Sequence, residues 1–590
     1  MLSDTAERST ASGPSREEPG AVVVVGGGIA GMVAAWELAR SGARVVVLEA
    51  EEELGGRVRG ENVAGVALDI GAESFATRGG AVAALLTELG MADEIVNPAA
   101  LGSWVVTADA ARAVPLPPAG TIGIPATPLS GSTVRALGVV GALRAAIEPL
   151  LPPAIGRSGA LDDVIRARLG ARVLDRLVRP VVLGIHSTDP ADMTLRSIPG
   201  LAEAYARRGS LILAARDLRA SRTAAGGAVA GLRGGMASLV AQLREELDRL
   251  GVVMHTGTRV VALQRDAEMR GGVTHEGDEV LRPAARLVSD PLDATKWDRE
   301  PGSVAFEPKG EALRPAARLV SDPLGKTQCA EAPRGVAGEP EGEVLRFAAR
   351  LVSETKGAQE PADLTEPGPA TCEHEARHPA GPWRVVTEDT ELRADAVVLA
   401  VPEHVAAPLL DRPGVAPTEV EVVALLIDDA RLDAAPRGTG ALVAESAGSS
   451  VITAKALTHV TVKWPQRATG RHVLRLSYGR LGTAPETLGL NDAIITALAL
   501  ADASRILGIE LAPSSVRGMR RRVWTNATAS PDPTADALPP GLALAGDWVS
   551  GTGLASVIPG ARRAAADTLA ALHRSVSGAT QTGEVRPQHE

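Results

Sequence analysis

The sequence predicts an α/β fold with more than one domain, and three observations lead to this prediction. The β-branched run at residues 21–25 leads directly into three glycines and a helix-like segment, 32–41. A second apolar strand, 43–48, follows and ends at an acidic residue. Near the other end of the chain, residues 542–545 form an apolar strand that leads into Gly-Asp. Because 590 residues are too many for one compact core, we expect at least two domains.

The first strand, the helix and the second strand form a βαβ unit with the spacing of a dinucleotide site. The pattern G-x-G-x-x-G falls on Gly26, Gly28 and Gly31. Gly26 permits a tight turn, Gly28 lets the backbone approach a diphosphate, and Gly31 lets the helix pack closely on the strand. The diphosphate lies against the N–H groups and positive dipole of the helix N-terminus, and Glu49 accepts hydrogen bonds from the ribose hydroxyls. The sequence therefore predicts dinucleotide binding.

Two further motifs indicate FAD as the dinucleotide. An acid, a short spacer and Leu-Gly-Gly-Arg, ending at Arg57, resemble the second signature of the flavin amine-oxidase superfamily. The strand ending in Gly546 and Asp547, with the glycine-rich segment 551–560 and an alanine-rich helix after it, resembles the superfamily's half-site for the ribityl chain and flavin edge. Two half-sites, one at each end of the chain, are what an extended FAD requires, whereas NAD alone would not need the second.

This resemblance implies a discontinuous Rossmann-like FAD domain of the amine-oxidase/PHBH type, joined to an α+β substrate-binding domain and a largely helical segment. We expect further strands of the FAD domain at 258–263, 383–387 and 394–402. The predicted FAD domain comprises residues 21–80, 228–265, 381–405 and 535–578. The substrate-binding and helical domain, for which a membrane-facing part is one alternative, comprises residues 81–227 and 406–534. Residues 1–20 and 579–590 are predicted to be tails.

Several segments in order resemble the protoporphyrinogen/coproporphyrinogen oxidase family more than amine oxidases in general. The matching segments are residues 68–75, 122–125, 155–177, 179–186, 209–215, 438–443, 452–458 and 463–465. Together the likeness covers about residues 21–265 and 381–575. In that family the loop at 71–74 lies beside the flavin, and the backbone at Val260 contacts the adenine.

The motifs and the resemblance together predict the residues that contact FAD. They are Gly26, Gly27, Gly28, Ile29, Ala30, Gly31, Glu49, Ala50, Gly56, Arg57, Gly71, Ala72, Glu73, Ser74, Val260, Trp524, Gly546, Asp547, Thr552, Gly553 and Leu554. Trp524 and Trp464 are each interpreted as either a core or a flavin-side residue, and His186 as a hydrogen-bonded structural residue.

The resemblance implies oxidation of a porphyrinogen to a porphyrin in haem biosynthesis, with O2 reoxidising FAD and giving H2O2. A porphyrinogen is an activated hydride donor, so the cofactor performs the difficult step and the protein supplies orientation and a dry pocket. No catalytic residue is therefore predicted. Arginines of the substrate domain are expected to meet the carboxylates, and coproporphyrinogen III, with its four propionates, is the preferred substrate.

Two alternatives remain open. One is another enzyme of the same fold, either an amine oxidase or a carotenoid-type desaturase, although a chain with only Tyr205 and Tyr478 is poorly equipped for an aromatic amine cage. The other is an FAD-binding relative without turnover. It is suggested by the segment after Trp524, which lacks the family's Pro-Gln-Tyr and Gly-His elements.

Residues 266–380 are predicted to be a low-complexity insertion between two strands. Nearly the same eleven-residue string begins at 279, 311 and 343, a period of 32 residues, but each copy offers one short apolar run among many Pro, Gly and charged residues. Cys372, His374 and His378 within it lack a fourth ligand and are not interpreted as a zinc site. No metal is predicted.

The composition excludes several other classes. A net charge of −10 gives no nucleic-acid footprint, and two cysteines rule out a disulfide scaffold. The start of the chain is polar with no apolar run, so we expect a cytoplasmic protein. The apolar but proline-broken region 120–153 is expected to line a cavity or to touch a membrane surface. A peripheral membrane contact or a haem-pathway enzyme are the expected partners besides substrate, and the oligomeric state is left open.

Overall fold

The computed structural model describes residues 21–117, 121–152, 154–156, 158–223, 229–265, 383–414, 416–444, 450–467, 470–480, 483–526 and 538–581. The chain divides into two units, one of residues 1–272 and 377–590 and one of residues 273–376. The second unit lies outside the described residues, as do the predicted N-terminal tail, the 32-residue repeats and Cys372.

The described residues contain strands β1 to β19, numbered in chain order. They are β1 Ala21–Val25, β2 Val45–Leu48, β3 Gly60–Val63, β4 Val66–Asp69, β5 Phe75–Ala76, β6 Ile95–Val96, β7 Trp104–Thr107, β8 Ala113–Pro115, β9 Val229–Leu232, β10 Val253–His255, β11 Val260–Arg265, β12 Trp383–Thr387, β13 Glu391–Leu399, β14 Thr418–Ile427, β15 Gly440–Ala444, β16 Ala456–His459, β17 His472–Tyr478, β18 Val516–Asn526 and β19 Leu542–Leu544.

The helices of the described residues are numbered α1 to α14, also in chain order. They are α1 Ile29–Arg40, α2 Ala81–Glu88, α3 Gly131–Ala146, α4 Leu161–Leu169, α5 Ala171–Val173, α6 Arg179–His186, α7 Leu201–Arg208, α8 Leu211–Thr223, α9 Ala237–Arg249, α10 Glu403–Leu409, α11 Val460–Lys463, α12 Asp492–Leu507, α13 Asp547–Ser550 and α14 Leu554–Gln581. Among the described residues, no helix combines the length and the apolar character that a bilayer span requires.

The first sheet contains the βαβ unit at its centre. Its strand order is β10-β2-β1-β13-β12-β11, with β19 beside the second half of β13. Strands β10, β2, β1, β13 and β19 run parallel, and β12 and β11 add an antiparallel edge. The sheet is thus assembled from stretches of the chain that lie far apart in sequence.

The valine run of β1 explains why this strand is central. Val22 and Val24 enter the core that holds α1, α9 and α14, while Val23 and Val25 enter the core on the opposite face. Successive strand residues point to opposite faces, so a strand covered on both sides must be apolar at every position. The same reasoning explains α1, nine of whose twelve residues are buried between the sheet and neighbouring helices.

The second sheet is mostly antiparallel, in the order β18-β14-β17-β16-β15-β7-β8. One face packs on α12, and the other packs on the β3-β4 hairpin through a core that includes Ile70 and Trp464. Trp464 is completely buried, so it is a core residue. The second face of this sheet therefore lies next to the loop that follows β4.

The helical part, α3 to α8, is organised around a buried ion pair. Glu148 and Arg168 are both fully buried, and a guanidinium nitrogen lies 2.6 Å from a carboxylate oxygen. Glu148 also accepts hydrogen bonds from the Ser210 hydroxyl and from the Leu211 backbone N–H at the start of α8. Arg168 donates to the carbonyls of Gly209 and Pro152. The pair therefore ties α4 and α8 to the loop after α3.

The α/β fold class predicted from the sequence is confirmed, and the differences lie at element ends. The first helix begins at Ile29, three residues earlier than predicted, because Gly28 already serves as its N-cap. The short helix expected at 209–215 runs from Leu211 to Thr223. The last helix continues to Gln581, inside the stretch predicted as a tail. The domain boundaries themselves stay predictions.

We predict that Arg168→Met destabilises the protein by about 3–5 kcal/mol, because it leaves the charge of Glu148 buried without a partner. Urea denaturation measures the loss. The double variant Arg168→Met/Glu148→Leu should lose less, since neither charge remains. Arg208→Met is the matched control, because Arg208 is half-exposed in its ion pair with Asp217 and should change little. A double variant that is less stable than Arg168→Met would contradict this account.

Candidate functional site

The glycine-rich turn after β1 contains two positions at which a side chain would clash with backbone atoms. Gly26 adopts φ +103°, and a Cβ there would lie 2.7 Å from the Ala400 carbonyl oxygen of the neighbouring strand. A Cβ on Gly31 would lie 1.8 Å from the Gly26 carbonyl oxygen. Only glycine fits at these two positions, so the turn brings the start of α1 directly against the end of β1.

The N-terminus of α1 is open to a ligand. Gly28 is its N-cap, and a glycine has no side chain with which to accept a hydrogen bond from the first turn. The Gly55 backbone N–H donates to the Gly27 carbonyl at 2.8 Å, and a Cβ on Gly56 would lie 3.2 Å from the Cα of Gly28. Two glycine turns therefore meet in front of the positive end of α1, where a diphosphate binds.

Glu49 lies at the end of β2, beside the same turn. Its carboxylate accepts hydrogen bonds from the Gly27 N–H at 2.7 Å and the Glu51 N–H at 2.8 Å. Each carboxylate oxygen can accept a second bond, so both remain available to ribose hydroxyls. Ala50 is exposed beside it, and the Thr258 N–H donates to the Glu49 carbonyl at 2.7 Å. That bond brings the start of β11, with the buried Val260, to the adenosine end of the predicted site.

An ion pair joins the two predicted half-sites. The Arg57 guanidinium lies 2.5 Å from the Asp547 carboxylate, and Asp547 is 5% exposed. Gly546, at φ +127°, turns the chain from β19 into α13 so that Asp547 faces this arginine. The Leu-Gly-Gly-Arg motif and the Gly-Asp motif, from opposite ends of the sequence, therefore form one site.

The turn that precedes α14 completes this side of the site. Thr552 and Gly553 are exposed, and Leu554 begins the helix. Arg78, which the sequence reasoning did not single out, donates to the Ser556 hydroxyl at 2.6 Å in the first turn of α14. The segment that follows β5 is thereby attached to the second glycine-rich turn.

The loop 71–74 lies against both Arg57 and Trp524. The Ala72 N–H donates to the Arg57 carbonyl at 2.8 Å, and a Cβ on Gly71 would lie 2.0 Å from that same oxygen. The Trp524 indole N–H donates to the Ile70 carbonyl at 3.1 Å, and its ring lies 3.3 Å from the position of a Gly71 Cβ. Trp524 is half-buried on this loop, so the flavin-side interpretation fits its position.

Glu73 fixes this loop to the second sheet. Its carboxylate lies 3.0 Å from the Lys463 ammonium and 3.1 Å from the Arg475 guanidinium, and it accepts the Trp464 indole N–H at 2.6 Å. Arg475 also donates to the Gly71 carbonyl at 2.5 Å. Burial alone would raise the pKa of Glu73, but the charges of Lys463 and Arg475 outweigh it and lower the pKa to about 2.

The sequence carries little or no signal for the positions of Lys463, Arg475 and Arg78 in the site. Lys463 carried a weak signal, because only Lys455 and Lys463 of the chain's six lysines lie outside the insertion. Arg475 carried none, since it is one arginine among many on an ordinary strand. Ser74 is half-buried at the end of the same loop, as expected of a residue that could face a ligand.

FAD fits the residues that the structure brings together. The glycine turns leave the N–H groups of α1 open, Glu49 retains acceptor capacity for ribose hydroxyls, and Arg57 supplies a cation beside the diphosphate position. Asp547 and the turn 551–554 lie where the second half of an extended cofactor would continue. The individual contacts with FAD stay predictions.

The fold and the site define a flavoprotein that holds an extended FAD at the carboxyl edge of a parallel sheet. The chain belongs to the family of flavin containing amine oxidoreductases, whose model matches residues 29–326 and 376–569. It is therefore an FAD-dependent oxidoreductase, which confirms the cofactor and the enzyme class predicted from the sequence.

Curated relatives and solved structures give a consistent comparison. A coproporphyrinogen III oxidase of Mycobacterium tuberculosis is 27% identical over 584 residues, covering 95% of this chain and 99% of the relative. One of Bacillus subtilis is 26% identical, covering 46% of this chain and 62% of the relative. A structure described as a protoporphyrinogen oxidase of Exiguobacterium has a TM-score of 0.62 at 19% identity, covering 94% of this chain and 100% of that one. At this identity the structural likeness shows the fold alone.

We predict that Glu73→Gln lowers the free energy of unfolding by about 3 kcal/mol at neutral pH, because two half-buried cations lose their buried partner. Since the pKa of Glu73 lies below its ordinary value of 4.5, its contribution is present above pH 4.5 and is lost as the pH falls towards about 2. The stability difference between wild type and variant should therefore shrink over that range in urea denaturation.

Glu94→Gln is the matched control, because Glu94 is half-exposed and lies 3.8 Å from Arg233. It should change the stability little at either pH. A difference between wild type and Glu73→Gln that stays the same from neutral to acid pH would contradict the assignment.

Proposed function

We propose that this enzyme oxidises a porphyrinogen to a porphyrin in haem biosynthesis, and that its substrate is coproporphyrinogen III. The observation that carries the proposal is the 27% identity to coproporphyrinogen III oxidases over 95% of the chain, which extends through both FAD half-sites and the second sheet. The ordered family segments in the substrate-binding part of the sequence support the same conclusion.

The protein's own contribution is binding and positioning. Bound FAD would supply a two-electron acceptor for hydride from the substrate, and we propose that O2 is the final oxidant: since a porphyrinogen loses six hydrogens in becoming a porphyrin, about three rounds would each reduce one O2 to H2O2. Two acids of the site lie in ion pairs: Glu73 with Lys463 and Arg475, and Asp547 with Arg57. An acid whose pKa is about 2 does not exchange protons near neutral pH, so Glu73 positions the loop rather than transferring a proton.

The amine-oxidase alternative has less support from the positions of the aromatic residues. Tyr478 is fully buried in the second sheet, where its hydroxyl lies 3.4 Å from Asp502. Tyr205 is buried in the helical part and donates to the Gly156 carbonyl at 3.2 Å. Neither tyrosine lies at the Gly71 loop, so neither can join Trp524 in a paired aromatic cage for an amine.

The alternative of an FAD-binding relative without turnover rests on the segment after Trp524. Residues 527–537, which hold most of that segment, lie outside the described residues. Trp524 itself is held at the Gly71 loop by its indole N–H, so the part of the segment nearest the site is in place. This favours an active enzyme. Measured turnover distinguishes an active enzyme from a relative that binds FAD without turnover.

We predict that coproporphyrinogen III, added without O2, bleaches the visible absorbance of the bound flavin. Readmitted O2 should restore this absorbance with formation of H2O2. Porphyrin fluorescence in air should rise faster with coproporphyrinogen III than with protoporphyrinogen IX at equal concentration. Bleaching by a simple amine such as putrescine, but not by either porphyrinogen, would support the amine oxidase. A flavin spectrum that no donor changes would establish the inactive relative.

We also propose that the apolar surface formed by α3 and the loop after it contacts an anionic bilayer. Val139, Val140 and Leu143 are 63%, 68% and 52% exposed, and Leu150 is 83% exposed. Exposed apolar side chains in such a group mark an interaction surface. The buried Glu148–Arg168 pair holds the loop behind them, so the surface is rigidly supported.

Arginines border this apolar surface. Helix α3 is interrupted at Gly138, where φ is +74°. Arg112, Arg176 and Arg172 donate to the backbone carbonyls of residues 135–137 that the interruption frees. These side chains place positive charge beside exposed apolar groups, the combination that binds anionic lipid headgroups at a membrane surface.

We predict that the protein sediments with vesicles containing phosphatidylglycerol and much less with pure phosphatidylcholine vesicles. Val140→Asp/Leu150→Asp should abolish sedimentation, because two charges are placed on the apolar surface. Leu488→Asp, at a residue 48% exposed elsewhere, is the matched control and should sediment like the wild type. Equal loss in both variants, or no sedimentation of the wild type, would overturn this proposal without touching the catalytic one.

A further inference from the structure

Three loops lie side by side at the carboxyl edge of the first sheet. They follow β1, β13 and β19, which are adjacent parallel strands. The first and third loops contain the two FAD half-sites, and the middle loop, residues 400–402, leads into α10. In parallel sheets a ligand occupies the crevice outside these strand ends, so the middle loop belongs to its wall.

The middle loop is fixed to both of its neighbours. Its Ala400 carbonyl oxygen lies 2.7 Å from the position of a Cβ on Gly26, in the first loop. The Trp548 indole N–H, one residue past Asp547, donates to the Val401 carbonyl at 2.9 Å. The residue that follows Pro402 is therefore held between the two half-sites.

That residue is Glu403, the first residue of α10. It is only 8% exposed, and its Oε2 atom is buried without a hydrogen-bond partner among the described residues. An acid oxygen buried without a partner is unfavourable, and a ligand that brings a hydrogen-bond partner removes that cost. Nothing in the site already described makes use of it.

The surroundings of Glu403 favour the neutral form of the acid over the charged form. Burial raises the pKa of Glu403, and the negative charge of Asp547 raises it further. Arg57 is already paired with Asp547, and the neighbouring His404 is driven towards its neutral form because burial lowers its pKa. A bound diphosphate would add more negative charge, which again favours the neutral carboxylic acid.

We propose that Glu403 is a further residue of the FAD site, and that its carboxyl group donates a hydrogen bond to an oxygen of the cofactor between the two half-sites. Glu403 is a binding residue in this proposal and has no part in the electron transfer. The proposal does not depend on the identity of the oxidised substrate.

The test is the dissociation constant of FAD, measured by titrating apoprotein and following the quenching of flavin fluorescence. Glu403→Ala should weaken FAD binding at least tenfold, because it removes the donor. Glu403→Gln keeps a donor without a charge, so its binding should stay within about threefold of the wild type. Glu388→Ala is the matched control: its side chain is 63% exposed in the turn between β12 and β13, and binding should be unchanged.

Thermal unfolding of the apoprotein distinguishes cofactor binding from a structural role. Since the buried oxygen lacks a partner without FAD, Glu403→Ala should leave the apoprotein Tm unchanged or raise it while FAD binding weakens. FAD binding by Glu403→Ala that equals the wild type would overturn the proposal. A lowered apoprotein Tm in both Glu403 variants, or equally weak FAD binding in both, would overturn it as well.

Discussion

The ion pair between Arg57 and Asp547 is the interaction on which the rest of the site depends. It links motifs from opposite ends of the sequence, and it does so at the edge where β1, β13 and β19 end together. The parallel pairing of these strands brings their loops into one crevice, and the glycine turns remove the side chains that would fill it. A buried carboxylate needs a partner, so Asp547 also holds Arg57 in place beside the open N-terminus of α1.

A second set of charges connects the loop 71–74 to the second sheet. Glu73, Lys463 and Arg475 come from three separate elements and meet at the loop 71–74, and Trp524 donates to the Ile70 carbonyl just before that loop. These three charged groups pair with one another. This suits an enzyme whose cofactor performs the redox step, because the protein then has to provide only binding and positioning. Glu403 differs from them because its buried oxygen has no partner within the described protein.

Much of the FAD sheet could be predicted from local pattern. The valine run, the glycine spacing and the acid at Glu49 each depend on residues within a few positions, and the strands at 383–387 and 542–544 were found in the same way. Element ends were less accurate, since a helix such as α1 begins where a backbone turn permits, and Gly28 already caps it. Trp464 could not be assigned from sequence, because its burial is decided by packing against Val63 and Ile70, which lie far away in the chain.

The sequence by itself determined the α/β class, the dinucleotide motif and the two FAD half-sites, because backbone turns and strand burial are encoded by residue types at fixed local spacing. Only the tertiary structure decided which charges meet: Arg57 with Asp547, and Glu73 with Lys463 and Arg475, while Oε2 of Glu403 is buried with no partner among the described residues. A charge carries no local pattern that names its partner. The free energy of such a group depends on its burial and on neighbours from distant segments, and both exist only once the chain is folded.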